Sequence, residues 1–174
     1  MAHAAVADFR VEPLAKHHDR SAFVCGVEDL DVYLKTRATQ DMRRKTNAVF
    51  VMVPRVLPNR VAGYFTLCAY TLAPGDIPDS VRKHLARYPL VSATLIGRLA
   101  MARNYQGQGL GAALLARALR KAYHNASSVG SSMVVVEAVD ENAAHWYEAH
   151  GFIRLPESPR LIIPMRTVAG LVET

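Results

Sequence analysis

Apolar positions along the 174-residue chain change period several times, and each change marks an element. In residues 27–45, "VEDLDVYLKTRATQDMRRK", apolar side chains recur at Leu30, Leu34, Ala38 and Met42, the stripe of one amphipathic helix. Glu28 and Asp29 suit the positive start of that helix, and Arg43, Arg44 and Lys45 suit its negative end. Upstream, residues 11–23 read as a short strand and a loop. Two runs rich in Val, Phe, Tyr and Thr, "NAVFVMVP" and "RVAGYFTLCAYTLA", flank the Pro-containing turn "RVLPN" and predict antiparallel strands. "PDSVRKHLARYP" predicts a short helix stopped by Pro89, and "SATLIGRLAMA" a strand whose one polar interruption is Arg98. Gly107, Gly109 and Gly111 then alternate ahead of a helix over 110–123, apolar at Leu114, Leu115, Ala118, Leu119 and Ala122. The continuous apolar run of "SSMVVVEAV" predicts a strand buried on both faces. "DENAAHWYEAHG" predicts a short helix with Asp140 as its N-cap and Gly151 as its stop, and "FIRL" and "RLIIPM" close as a pair of strands. No repeat, low-complexity tract or linker interrupts the chain. One mixed α/β domain over 1–174 is expected.

Composition narrows the class. Apolar residues make up 51% of the chain, which excludes a disordered tail. No apolar run approaches the ~20 residues of a bilayer span. The opening segment is interrupted by Asp8, Arg10, Glu12 and Lys16, unlike a signal peptide. A soluble cytoplasmic protein without membrane contact is the expectation. Cys25 and Cys68 stand outside any CxxC or CxxH spacing and read as buried, inert thiols of a reducing compartment. His17 and His18 are the one close histidine pair, and no metal-ligand pattern forms, so no metal is expected. Twenty-one Lys and Arg against fifteen Asp and Glu leave a net charge of +6, which suits an anionic partner: nucleic acid, a phosphorylated cofactor or an acidic protein.

The glycines pose the chemical question, because no Ser, Thr, Asp or Asn precedes their helix as a cap. A P-loop needs Lys and then Ser or Thr after its last glycine, and none follows Gly111. A dinucleotide fingerprint is met loosely by Gly107, Gly109 and Ala112, but "RNYQ" separates it from the strand and only one crossover unit follows. A plain glycine-rich turn is the bland reading. In the third reading Gln106, Gly107, Gln108, Gly109, Leu110 and Gly111 present successive bare N–H groups at a helix start, where they and the helix dipole hold a pyrophosphate without lysine. The ligand would then satisfy the orphan N–H groups that lack a cap.

That string, between a strand and a helix, resembles the coenzyme A pyrophosphate loop of the GNAT acyltransferases. The resemblance implies a GNAT fold, with a central mixed, largely antiparallel sheet flanked by helices, and acetyl-CoA as cofactor with no metal. "WYEAHGF" is similar to the second GNAT signature, which implies Tyr147 as the general acid beside the cofactor sulfur. On residue type alone Tyr147 reads sooner as an aromatic packing residue than as a catalyst, because tyrosine is often half-buried. The family pattern further places the pantetheine arm along the backbone of Leu99, Ala100 and Met101, where an N–H would polarise the acetyl carbonyl, and Asn142 against the pantetheine amide. Ala102 stands where relatives often carry Asp.

A narrower resemblance covers residues 23–165: "FVCGVEDLDVYLKTRATQDMRRKTNAVFVMV", "VAGYFTL", "RYP", "LIGRLAMARNYQGQGLGAALLARAL" and "RLIIPM" are similar to the GNAT toxins of toxin–antitoxin modules. It implies acetylation of the α-amino group of the amino acid on charged tRNA, a ribbon-helix-helix antitoxin and a homodimer. The aminoacyl-tRNA would meet Lys35, Arg43, Arg44, Lys45, Arg87 and Arg98, with Arg37, Arg82 and Lys83 nearby in sequence. No general base stands out, and the low pKa of an amino ester lessens the need for one. Two other readings remain open. An acetyltransferase of a small amine or protein N-terminus would want clustered carboxylates, and a non-catalytic acetyl-CoA- or RNA-binding module would not need Tyr147.

Overall fold

A computed structural model describes residues 5–173. Its strands are β1 (Phe9–Pro13), β2 (Ala48–Pro54), β3 (Gly63–Leu72), β4 (Val91–Met101), β5 (Met133–Glu137), β6 (Ile153–Arg154) and β7 (Arg160–Pro164). The helices are α1 (Glu28–Thr36), α2 (Ala38–Arg43), α3 (Asp79–Arg82), α4 (Leu110–Asn125), α5 (Glu141–Ala149) and α6 (Met165–Val172). The sheet has seven strands in the order β1-β2-β3-β4-β5-β7-β6. The mixed α/β class follows, with β1/β2, β2/β3, β5/β7 and β6/β7 antiparallel and β4/β5 parallel.

The chain clusters into two compact units. The first comprises the residues up to Leu67 together with Arg98–Ala118. Here β2 pairs with β1 from Phe9↔Pro54 onward and with β3 from Ala48↔Leu67 onward, so that its β-branched residues are buried from Val49 to Val53. Tyr33 and Leu34 of α1, Ala38 of α2, Phe23, Tyr64 and Ala100 pack on Val49, Val51 and Val53 as one apolar cluster. The second unit comprises Cys68–Gly97 and the residues from Leu119 onward. Its β5 pairs in parallel with β4 over Thr94↔Val134 to Ile96↔Val136 and antiparallel with β7. Met133 to Val136 are all at most 1% exposed, as the unbroken apolar run predicts.

Two predicted elements differ. The single helix expected over 27–45 breaks into α1 and α2 at Arg37, whose φ of −122° leaves the helical region. Arg20 supplies a reason: its guanidinium donates to the Leu34 carbonyl at 3.2 Å and to Thr39 Oγ1 at 2.8 Å, drawing on a carbonyl in the last turn of α1. The helix expected in "PDSVRKHLARYP" shortens to α3, and α6 extends the chain past the strand pair that was expected to close it.

Candidate active site

In the first unit β4 ends at Met101, a short 3-10 turn follows at Arg103–Tyr105, and the glycine loop leads into α4. Gln106 fixes this loop. Its Nε2 donates to the Met101 carbonyl at 2.9 Å and to the Cys25 carbonyl at 2.8 Å, tying the loop to the strand end and to the segment before α1. Gln108 Nε2 donates back to the Asn104 carbonyl at 3.2 Å. Gly107 and Gly109 adopt φ of +77° and +78°, a left-handed backbone that side-chain-bearing residues resist. A Cβ at either would meet no atom within 4 Å, so these glycines border open space.

The start of α4 matches that opening. Gly109 precedes Leu110 and carries no side-chain oxygen to cap the helix, and no acidic residue lies in the first turn. The Gly109 carbonyl accepts from the Ala113 N–H at 3.3 Å, the first helical bond of α4. Leu110 and Leu114 are wholly buried and anchor the helix from below. At the strand end, Gly63 of β3 lies so close that a Cβ there would meet Met101 Sδ at 2.5 Å and the Ala100 carbonyl at 3.0 Å. This close approach fixes Ala100 and Met101, which are buried, while Leu99 is half-buried. Helix dipole, bare N–H groups, absent carboxylates and open space together suit a phosphate-bearing ligand.

In the second unit α5 carries the other candidate residues. Asp140 caps it as predicted, its Oδ1 accepting from the Ala143 N–H at 2.8 Å, and Asn142 is exposed in the first turn. The helix ends on Gly151 at φ +97°. The Gly151 N–H donates to the Glu148 carbonyl at 3.0 Å and the Phe152 N–H to the Tyr147 carbonyl at 3.2 Å, the paired closure of a helix ending on a left-handed glycine. The apolar contact that accompanies such an ending here is Phe152 against Tyr147, ring centroids 5.3 Å apart at 63°. Trp146 packs edge-on against Tyr147 at 5.1 Å. Thus "WYEAHGF" is a helix terminus whose cap orients Tyr147. On the solvent side Arg154 ties Glu141 and Glu148 together, each at 2.7 Å. Tyr147 is half-buried, its hydroxyl has no hydrogen-bond partner among the described residues, and burial pushes its pKa up to about 12. It is a protonated, unspent donor at neutral pH.

The basic candidates fall in separate places. Lys35 on α1, Arg43 at the end of α2, and Arg44 and Lys45 in the following turn are all exposed. Arg87 lines an open cavity of the second unit with Arg82, Lys83 and Tyr88. Arg82 is engaged by Asp79, whereas Arg98 is half-buried and stacked on the Tyr33 ring. Tyr33, with its partners Asp41 and Asn47, was not singled out from the sequence. The signal available was a tyrosine three residues after Leu30 in the apolar stripe, whose hydroxyl had to find a partner.

Neither cysteine is fully buried, contrary to expectation. Burial and then the neighbouring Asp31 push the Cys25 thiol up to about 11, which keeps it unreactive. Glu12, His17 and His18 approach one another as metal ligands would. Yet His18 Nδ1 accepts from the Ala15 N–H at 2.9 Å, which leaves the proton on Nε2, donated to Glu12 Oε1 at 2.7 Å. A metal on Nε2 would force a proton onto Nδ1, against that N–H donor.

The family model for the acetyltransferase (GNAT) domain matches residues 60–154, which include the glycine loop and Tyr147. The chain belongs to the GNAT acetyltransferases. It is 30% identical over 155 residues to the tRNA-acetylating toxin of Mycobacterium tuberculosis, covering 88% of this chain and 90% of that one. With the probable toxin TacT of Sinorhizobium fredii it shares 26% identity over 181 residues, 99% of each chain. A tyrosine-to-phenylalanine mutant of the toxin KacT matches with a TM-score of 0.88 at 28% identity, covering 94% of this chain and 99% of that one. AtaT complexed with acetyl-methionyl-tRNAfMet matches with a TM-score of 0.86 at 30% identity, with the same coverage. The relatives place this GNAT acetyltransferase among the toxins of the family. No helix among the described residues is long and apolar enough to cross a membrane.

Proposed function

We propose that this acetyltransferase moves the acetyl group of acetyl-CoA to the α-amino group of the amino acid on charged tRNA, and so blocks translation. The observation that carries the reading is the acid-free, side-chain-free start of α4 behind the Gln106 clamp, open above Gly107 and Gly109. There the N–H groups of Leu110 and Gly111 and the adjoining loop hold the pyrophosphate, Gln106 and Gln108 keep the loop in shape, and the backbone at Leu99, Ala100 and Met101 with Asn142 receives the pantetheine arm. When bound, acetyl-CoA supplies a thioester whose acetyl group is transferred and whose sulfur leaves as a thiolate.

The residues of the chain do the rest. A backbone N–H of β4 polarises the acetyl carbonyl as the amine nitrogen forms its bond to the carbonyl carbon. As the carbon–sulfur bond breaks, the Tyr147 hydroxyl gives its proton to the departing sulfur and is reprotonated from solvent. The amine proton passes to water, since the amino ester is largely neutral near pH 7 and needs little base. The exposed cations Lys35, Arg43, Arg44, Lys45 and Arg87, together with Arg98, supply phosphate contacts to the RNA. The enzyme works in the cytoplasm as a homodimer within a single catalytic domain, and a ribbon-helix-helix antitoxin silences it. Incubation with acetyl-CoA and a pool of charged tRNA, followed by mass spectrometry of the released amino acids, tests the reading. N-acetyl amino acids are expected. Acetylation of small amines or protein N-termini with none on tRNA would refute it.

A further inference from the structure

Arg98 is a half-buried cation stacked on an aromatic ring. It lies on β4 one residue before Leu99, and its guanidinium carbon sits 3.5 Å from the centroid of the Tyr33 ring. Tyr33 is a rigid platform. Its hydroxyl donates to Asp41 Oδ2 at 2.8 Å and accepts from Asn47 Nδ2 at 3.2 Å, while Asn47 also donates to Asp41 Oδ2 at 3.0 Å. The ring stacks at 14° on Tyr64, centroids 6.4 Å apart, and the Tyr64 hydroxyl donates to the Leu30 carbonyl at 2.7 Å. Asp41 lies close enough for Arg98 to stabilise its charged form, but its Oδ2 is occupied by Tyr33 and Asn47.

Among the described residues no hydrogen bond or ion pair takes an N–H of Arg98. A stacked guanidinium keeps its planar fork of five donors free at the edge, the geometry that matches an oxyanion in two-point contact. Donors that reach solvent in a half-buried position are free to exchange water for an incoming anion. Strand alternation puts Arg98 and Ala100 on one face of β4, and Ala100 belongs to the same apolar cluster as Tyr33 and Tyr64.

We propose that Arg98, stacked on Tyr33, is a phosphodiester-binding site that anchors the 3′ end of the RNA substrate beside the acetyl-transfer segment of β4. This rests on the aminoacyl-tRNA reading. In an aminoacyl ester the carboxyl of the amino acid is esterified and carries no charge, so the anions such a substrate offers are the phosphodiesters of its RNA. A fixed positive charge there also repels an ammonium, which favours the neutral amine that reacts.

The test measures binding of deacylated tRNA across a salt series, acetyl-CoA affinity, and acetylation kinetics on aminoacyl-tRNA for Arg98→Ala, Arg98→Lys and Tyr33→Phe. Arg98→Ala should weaken tRNA binding about ten- to hundredfold, as loss of charge-assisted hydrogen bonds does. It should reduce the salt slope by roughly one phosphate contact and raise KM for aminoacyl-tRNA, leaving acetyl-CoA affinity unchanged. Arg98→Lys should restore the salt slope but only part of the affinity, because it keeps the charge and loses the fork. Tyr33→Phe should keep the stack but free the platform, with a smaller loss. Wild-type tRNA affinity and slope in Arg98→Ala would overturn the site. So would a joint loss of tRNA and acetyl-CoA binding that Arg98→Lys repairs without any change of slope, which assigns Arg98 to packing. If the wild-type protein bound tRNA with an Arg98-dependent slope yet acetylated no charged tRNA, the phosphate site would stand and the reaction assigned above would fall.

Discussion

The glycine loop and the end of α5 are opposite constructions. The loop offers backbone: Gly107 and Gly109 contribute by what they lack, and Gln106, whose side chain ties the loop to the strand end, is spent on two carbonyls. The end of α5 offers one hydroxyl, and everything around it, from the Gly151 closure to the Phe152 and Trp146 rings, serves to aim it. A site made of backbone is damaged by adding atoms. A site made of one side chain is damaged by removing one.

That contrast can be broken in order of expected effect. Gly109→Val puts a β-branched side chain into a φ of +78° and into the open space above the loop. Calorimetry should then detect no acetyl-CoA binding by a protein that still folds, and retained affinity would end the pyrophosphate assignment. Tyr147→Phe removes one oxygen and keeps the ring packing. Turnover should fall about 10²–10⁴-fold, with acetyl-CoA affinity and melting temperature near wild type, and near-normal acetylation of charged tRNA would return Tyr147 to a packing role. Gln106→Leu removes two hydrogen bonds that together contribute about 1–3 kcal/mol. Acetyl-CoA affinity should drop by around tenfold while kcat at saturation holds, the signature of a loop that binds and does not react.

Smaller effects sharpen the other side. Gly151→Ala forces a Cβ into φ +97°, though Ile163 at 3.6 Å leaves it room. The cost of about 1–2 kcal/mol should lower the melting temperature by a few degrees and reduce kcat more than acetyl-CoA affinity. The least conspicuous effect is spectroscopic. Because burial raises the Tyr147 pKa to about 12, its acid form persists through the range where free tyrosine ionises, and is lost only as pH climbs toward that value. The ultraviolet difference between wild type and Tyr147→Phe should therefore show no phenolate between about pH 9 and 11. A transition near pH 10 would mean that the hydroxyl is not sheltered.

Local signals in the chain carried much of this architecture. Asp140 and Gly151 bracket α5 as their residue types require, the unbroken apolar run of β5 is buried on both faces, and the alternating glycines lie at the turn into α4. What the sequence hid depends on partners distant along the chain. The break at Arg37 follows from Arg20 reaching Leu34 and Thr39, and no periodicity in residues 27–45 registers a donor outside that window. The stack of Arg98 on Tyr33 joins residues 65 positions apart, so Arg98 looked like one more cation in a basic chain. Gln106 was placed in the cofactor loop, but its service to Met101 and Cys25 required knowing where both carbonyls point.

The bare first turn of α4 has a consequence for the life of the protein in a cell. In the proposed reading the cosubstrate completes that helix start, and the folded state gains RT ln(1 + [L]/Kd) from it, about 2.7 kcal/mol at a hundredfold excess over Kd. A well-fed cell would thus hold this chain in a form that resists proteolysis. When acetyl-CoA is scarce that gain is smaller, and the unfolded form on which proteases act is correspondingly more populated.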